Sequence, residues 1–247
     1  MRHTTTVALT VSLVVTIAAT CSGQGFMYTP WEVTPPESQP GPSWYGYTGL
    51  VRTPTALIST PQKITGGAHR VELNSREHNV YAATVGLLPA LEIGAARIED
   101  VLQDTPIPSY ATETVVNVKY EANIGGLFNN PVAPRMAIGI FDISDKVNRT
   151  NYLVLSRSIS LVEGSASPLP QASVHIGYAN AAHSPATLDG IFGGIDFVAA
   201  EDTLAQIEYD GKDINGALRY YPASWLSLDA GILNSELSYG FTINSGF

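Results

Sequence analysis

Residues 191–247 read IFGGIDFVAAEDTLAQIEYDGKDINGALRYYPASWLSLDAGILNSELSYGFTINSGF, and they carry the clearest periodicity in the chain. One face of the segment that begins at Thr203 holds Ala205, Ile207 and Tyr209, and the other holds Gln206, Glu208 and Asp210. Strict alternation of this kind predicts a β-strand with one apolar and one polar face. The turns between successive segments are too short for a helix, so this stretch predicts consecutive antiparallel strands.

Similar alternation recurs upstream as far as Ala68, and the whole chain predicts about 12 strands. The apolar faces end repeatedly in aromatic residues, a pattern typical of the interfacial girdles of membrane barrels. These residues are Tyr120, Tyr178, Phe197, Tyr209, Tyr220 and Tyr239. We therefore predict an all-β fold, a single antiparallel transmembrane β-barrel of about 12 strands, preceded by a signal peptide and a Pro-rich linker.

The composition restricts the classes of partner that the chain is expected to bind. The chain has 247 residues, of which 14% are charged, and its formal net charge is −9. A chain with this negative charge lacks the positive electrostatic potential that attracts nucleic acid, so we predict no nucleic-acid partner. Cys21 is the single cysteine, which excludes an intramolecular disulfide. The histidines show no metal-ligand spacing, so we expect neither a metal site nor a cofactor.

The N-terminus predicts export. A short basic start precedes the apolar run VALTVSLVVTIAA at 7–19, which has the length of a signal peptide. We assign 1–23 to a signal peptide, 24–48 to a Pro/aromatic-rich periplasmic linker and 49–247 to an outer-membrane β-barrel domain. Lipidation at Cys21 is the less favoured alternative, because Ala18 and Thr20 stand where lipoprotein signals prefer a Leu-like and a small residue.

The C-terminal strand resembles the recognition signal of bacterial outer-membrane barrels. Tyr239 and Phe241 alternate along it, and Phe247 is the last residue of the sequence. We expect these three residues to form a C-terminal assembly signal. The predicted location is the bacterial outer membrane, with the lipid bilayer and the barrel assembly machinery as partners.

Charged residues on the polar faces are expected to point into the lumen, where they have two possible roles. They could cross-link into a plug of the narrow bore, or they could line a hydrated, slightly acidic channel for small or neutral solutes. The predicted lumen-facing charged residues are Arg70, Glu72, Glu92, Lys119, Glu121, Asp196, Glu208, Arg219 and Asp229.

One set of lumen residues has the composition of a hydrolase site. Ser173 and His175 share a face, and Asp196 lies on the same face of the next strand. Two positions along one strand separate side chains by about 6–7 Å, which is too far for a direct hydrogen bond, so polar lumen fillers are favoured and no catalytic residue is assigned. The alternatives to a non-enzymatic barrel are a β-barrel hydrolase acting on lipid or glycan and a secreted soluble β-barrel binding protein.

Several motifs, in matching order from Gly49 onward, resemble those of the YjbH-like family. They are GLVRTPTA at 49–56, LPALEIG at 88–94, VKY at 118–120, MAIGIFD at 136–142, YLVLS at 152–156, GGID at 193–196 and EYDG at 208–211. Its members are outer-membrane β-barrel proteins associated with bacterial exopolysaccharide or capsule production. The resemblance implies a pore or scaffold in envelope exopolysaccharide export or assembly, with polysaccharide as a partner, and it marks Gly49, Leu50, Arg52, Pro54 and Thr55 as motif residues.

Overall fold

The structure of the chain is a computed structural model. It describes residues 41–73, 76–103, 109–122, 134–160, 171–183, 188–200 and 202–245. The predicted signal peptide, the first part of the predicted linker and Phe247 lie outside these ranges.

Twelve antiparallel strands form one closed barrel, in which each strand pairs with its neighbours in sequence and β1 pairs with β12. This confirms the predicted all-β class, the single antiparallel barrel and the strand number. The strands are β1 Ile64–Leu73, β2 Arg76–Leu88, β3 Leu91–Gln103, β4 Ser109–Ala122, β5 Arg135–Phe141, β6 Thr150–Ser160, β7 Gln171–Ala181, β8 Gly190–Ala200, β9 Thr203–Tyr209, β10 Ile214–Ala223, β11 Leu226–Leu233 and β12 Glu236–Ser245.

The seam between the first and last strands closes the barrel. It runs from Ile64 opposite Ser245 to Arg70 opposite Tyr239. Because the strand number is even, β1 begins and β12 ends at the same end of the barrel, which we call the terminal end; the other is the distal end. Closure pairs the ladder on both sides of every strand over the shared length, so the barrel wall has no open sheet edge there.

The outer face of the barrel is apolar, as the alternation predicts. Its aromatic residues include five of the predicted girdle positions, and Phe197 on the same face is half-buried. Large apolar side chains that remain exposed on the strands are Ile64, Tyr81, Leu87, Leu88, Val116, Tyr120, Ile138, Leu153, Val174, Ile176, Tyr178, Ile191, Ile195, Tyr209, Ile214, Tyr220, Leu228, Leu237, Tyr239, Phe241 and Ile243.

Strands β2, β3 and β4 are the longest in the wall. Strands β2, β3 and β4 have 13, 13 and 14 residues, whereas β9 has 7. The extra length lies at the distal end, where Arg70 pairs with Glu77 and Asn79 bonds Glu99. The outer face is therefore polar there and apolar along the middle of the wall.

The structure corrects the predicted lumen position of Arg70. Its side chain is 44% exposed on the outer face, whereas His69 and Val71 point inward. The physical reason is that the apolar band ends before this part of β1, so local alternation no longer distinguishes the two faces. Glu72 lies outside the side chains that the structure describes.

Every regular element within the described ranges is a strand. Those ranges contain no helix of the length and apolarity needed to cross a membrane.

Candidate functional site

Residues 41–62, which we call the plug segment, fold back and forth inside the barrel before β1 begins. Antiparallel bridges join Pro42 to Thr48 and Gly49 to Pro54. The segment is buried almost throughout from Pro42 to Ser59. The predicted linker ended at residue 48, but residues 41–48 lie in the lumen together with the motif that follows them. The difference arises because these residues are held by distant strands rather than by a local pattern.

Glu208 on β9 holds the bend of the plug segment. Its carboxylate accepts the backbone N–H groups of Val51, Arg52 and Thr53 at 3.0–3.1 Å, and the Thr53 hydroxyl at 2.9 Å. Successive backbone N–H groups that converge on one anion form a nest. The motif of residues 49–56 therefore has a direct structural role: its backbone binds a lumen carboxylate.

The side chain of Arg52 makes a further contact with the wall, nearer the distal end, to Asp210. Its Nη1 donates to Asp210 Oδ2 at 2.9 Å, and its guanidinium lies over the ring of Tyr45 at 5.8 Å. Asn215 Nδ2 donates to the carboxylates of both Glu208 and Asp210 at 3.1 Å. Asp210 also accepts the backbone N–H groups of Lys212 and Asp213. The two buried acids are thus bonded by one cation, five backbone donors, one hydroxyl and one amide, which compensate for their removal from water.

A second anchor, formed by Glu92 on β3 and Lys119 on β4, holds both arms of the plug segment. Glu92 accepts the N–H of Thr48 at 2.8 Å and that of Ser59 at 2.7 Å. Lys119 Nζ donates to the carbonyl of Thr48 at 2.6 Å and lies 3.3 Å from Glu92. Since both side chains are about 1% exposed, the pair and its backbone partners form one buried network.

The start of the plug segment is held by Arg219 on β10 and His69 on β1. Arg219 Nη2 donates to the carbonyl of Pro42 at 3.0 Å, and its Nε donates to Asp229. His69 Nε2 lies 3.4 Å from the other oxygen of Asp229, and the His69 ring stacks on Trp44 with centroids 5.0 Å apart. The predicted lumen charges Arg219 and Asp229 therefore pair with each other, and Arg219 also binds the plug segment.

Aromatic residues of the plug segment form an apolar core inside the distal half of the lumen. Trp44, Tyr45 and Tyr47 are at most 4% exposed, and the rings of both tyrosines make edge contacts with Phe141. The wall contributes Val71, Val80, Ala82, Ala96, Ile98, Val115 and Leu233 to this cluster. Burial raises the pKa of the Tyr47 hydroxyl above its usual value, so it stays protonated and donates to the carbonyl of Arg52.

Two inward-facing glycines make room for the plug segment. A Cβ added at Gly94 would overlap the carbonyl oxygen of Gly46, and one at Gly86 would overlap the backbone carbonyls of Ser59 and Thr60. Close backbone approach of this kind requires the absence of a side chain. The wall of the barrel is therefore shaped to the plug segment.

A serine, a histidine and an aspartate form a hydrogen-bonded chain across β6, β7 and β8. Ser156 Oγ lies 2.7 Å from His175 Nδ1, and His175 Nε2 lies 2.9 Å from Asp196 Oδ2. The structure brings together the predicted base and acid, but the serine at the histidine is Ser156 rather than Ser173, which lies 3.2 Å from Ser158. Ser156 also accepts the backbone N–H of Ala56 at 2.7 Å.

Cross-strand register explains why Ser156 replaces Ser173. Ser156 is directly opposite His175 in the ladder of β6 and β7, whereas Ser173 is two positions along the strand of His175. Directly opposite residues on one face have Cβ atoms about 4.5–5.5 Å apart, which permits a hydrogen bond. The register of two strands cannot be predicted from the sequence. The alternation that places Ser156 on the same face as Tyr152 and Val154 was the one signal that Ser156 points into the lumen.

The remaining predicted site residues are distributed as follows. Glu121 is half-buried near the terminal end, with Arg135 at 3.1 Å. Tyr239 and Phe241 project outward from β12. Glu92, Lys119, Asp196, Glu208, Arg219 and Asp229 are all buried in the lumen. Among the side chains that the structure describes, no group of three or more His, Cys, Asp and Glu residues could hold a metal ion.

Fold and site together define a closed twelve-stranded β-barrel with a filled lumen. No family profile matches the chain, and no curated protein matches it. Among solved structures, it is similar to the crystal structure of the N-terminal beta-barrel domain of Pseudomonas aeruginosa OprF, with 9% sequence identity and a TM-score of 0.25. The similarity covers 76% of this chain and 100% of that one.

Proposed function

We propose that this chain is an outer-membrane β-barrel protein of the YjbH-like type, which acts as an occluded scaffold in the export or assembly of envelope exopolysaccharide. The observation that carries the scaffold role is the attachment of the plug segment to lumen charges on β3, β4, β9 and β10. A lumen filled in this way favours a scaffold over a pore.

The outer face supports a position in a bilayer. In hydrocarbon every backbone polar group must be paired, and a closed barrel meets this condition. The wall is closed, its middle carries large exposed apolar side chains, and six of the predicted lumen charges are buried inside it. In water such an apolar belt would be a strong aggregation hazard, whereas in lipid it is the favoured surface.

The distribution of charge supports the choice of partners. The formal net charge of −9 disfavours nucleic acid. We expect the barrel assembly machinery to insert the protein and a polysaccharide or its export apparatus to bind the polar distal end. The polysaccharide role rests on the resemblance of several motifs to those of the YjbH-like family. The first of these motifs, residues 49–56, forms the bend of the plug segment.

Membrane fractionation tests the location. The protein is expressed with its own N-terminus in a Gram-negative host, and outer and inner membranes are separated. We expect it in the outer-membrane fraction, with faster gel migration before heating than after, as a closed barrel gives. Recovery only from the soluble periplasmic fraction would contradict the proposal.

Planar-bilayer conductance tests the occluded lumen. We expect no stepwise conductance from the wild-type protein and openings from a variant that lacks residues 41–59. Stable openings of the wild type would favour a channel.

The polysaccharide role is tested separately, by deletion of the gene from its native host and measurement of surface polysaccharide. We expect the amount of surface polysaccharide to fall in the deletion strain and to return on complementation.

A further inference from the structure

The buried Ser156–His175–Asp196 chain has a feature that the scaffold role does not require. A serine hydroxyl alone can accept the N–H of Ala56, and elsewhere in the lumen Asn117 and Lys119 bind plug carbonyls directly. At Ser156 the hydroxyl is also bonded to an imidazole that is bonded to a carboxylate. Nucleophile, base and orienting acid in hydrogen-bond reach are the diagnostic arrangement of acyl-transfer sites.

We propose that Ser156 is a latent acyl-accepting nucleophile, which the plug segment covers and which attacks a short-chain carboxylic ester when Ala56 moves away. This inference is independent of the scaffold role. His175 serves as the base, and Asp196 orients the ring and stabilises its protonated form. The roles of the ring nitrogens are exchanged relative to the familiar triad, since Nδ1 faces the serine here.

The surroundings of Ser156 indicate the class of ester. Toward the distal end, a small apolar cluster borders it, formed by Ala56, Ala137, Tyr152, Val154, Ala179, Leu188 and Phe192. On the other side are the hydroxyls of Ser158 and Ser173. An apolar pocket beside the nucleophile suits a short acyl chain, and hydroxyls suit a polar alcohol such as a sugar.

The reaction balances with water as the second substrate. Ser156 Oγ bonds to the ester carbonyl carbon while its proton passes to His175 Nδ1. The bond from that carbon to the alcohol oxygen then breaks, and the alcohol leaves with the proton from His175. Water attacks the acyl-serine with the same base, and the products are a carboxylic acid and free Ser156.

The plug segment blocks access to Ser156. The N–H of Ala56 occupies the hydroxyl at 2.7 Å, and Ser156 is 4% exposed. Proline has no N–H, so Ala56→Pro removes this hydrogen bond and loosens the segment at that point. The variant leaves the serine, the histidine and the aspartate unchanged.

A fluorophosphonate probe tests the proposal on the full-length protein in detergent micelles, with the adduct located by peptide mass spectrometry. We expect at least tenfold more labelling at Ser156 in Ala56→Pro than in the wild type. Adding Ser156→Ala or His175→Asn to Ala56→Pro should abolish it, whereas adding Glu77→Gln, on the exposed outer face, should leave it unchanged. p-Nitrophenyl butyrate hydrolysis should follow the same order.

Heat-modifiable migration controls for folding in each variant. Should Ala56→Pro fail to close as a barrel, Glu208→Gln replaces it, since it loosens the plug segment at a different point. A folded variant of either kind without an adduct at Ser156 overturns the proposal, as does labelling that persists after Ser156→Ala. Neither result affects the outer-membrane location, which fractionation measures independently.

Discussion

Both carboxylate oxygens of Glu208 accept the backbone N–H of Arg52 at 3.0 Å, although the two residues are 156 positions apart. The N–H groups of Val51 and Thr53 bind the same carboxylate. Without the plug segment, Glu208 would lose these donors, and without Glu208 three backbone donors at the bend would lose their acceptor. Wall and plug therefore stabilise each other.

Replacement of this carboxylate should weaken the hold on the plug segment. In Glu208→Gln one oxygen becomes an NH₂ group that faces backbone donors, so at least two of the hydrogen bonds are lost. Because hydrogen bonds to a charged group contribute about 1.5–3 kcal/mol each, we expect the free energy of unfolding to fall by about 3 kcal/mol or more. Urea unfolding of the refolded barrel in vesicles measures it.

Glu77→Gln provides a matched control, because Glu77 is 59% exposed and paired with Arg70 on the outer face. An exposed ion pair contributes about 0–1 kcal/mol, so little change is expected. In limited proteolysis, residues 41–62 should become accessible in Glu208→Gln and stay protected in Glu77→Gln. Equal effects of the two variants would remove Glu208 from its assigned role.

The buried pair of Lys119 and Glu92 should show strong coupling. Lys119→Met leaves Glu92 charged and without its cation, a change that typically costs about 3–5 kcal/mol. Adding Glu92→Met removes the stranded charge, so the double variant should lose less stability than the sum of the two single variants. A double-mutant cycle from urea unfolding measures the coupling, and additive losses would show that the pair is not a unit.

A side chain at the contact between wall and plug should displace the plug segment. In Gly94→Ala the new methyl group would overlap the carbonyl oxygen of Gly46, which is backbone and cannot rotate away. Gly66→Ala is the control, since the nearest atom to its added Cβ is 3.7 Å away. We expect a lower thermal midpoint and faster proteolysis of the plug segment in Gly94→Ala only. Unchanged protection in both would mean that the approach is not tight.

The wall of the barrel could be predicted from the sequence because strand parity is a local property. Alternation around Ile207 and Leu218 assigned Glu208 and Arg219 to the inner face, where they lie. Arg70 was placed on the wrong face, since its strand has left the apolar band and both parities contain polar residues. Parity is informative only where one side of the strand meets a uniform solvent.

The plug segment could not be predicted in the same way. Residues 41–48 contain two glycines, one proline and three aromatics without periodicity, and their partners come from β1, β3, β4 and β10. Ser156 illustrates the same limit, because its contact with His175 depends on the register of two strands. Contacts that depend on register or on chain reversal inside the lumen leave no local signal.

The outward face of β7 allows a test of membrane depth with two arginine substitutions on one strand. Ile176 is 57% exposed near the middle of β7, and Asn180 is exposed on the same face near its distal end. Arginine on the lipid face costs about 2–4 kcal/mol at the bilayer midplane and about 0–1 kcal/mol near the interface. We therefore expect Ile176→Arg to destabilise the barrel in vesicles much more than Asn180→Arg.

The difference in stability between Ile176→Arg and Asn180→Arg shows whether the outer face of β7 meets lipid or water. In vesicles the two variants should differ by about 2 kcal/mol or more in their free energy of unfolding, because only residue 176 would carry its charge into hydrocarbon. If the outer face of β7 met water instead, both arginines would be hydrated and surface substitutions would change stability by roughly 0.5 kcal/mol or less. Equal stability of the two variants would thus remove this strand from the bilayer.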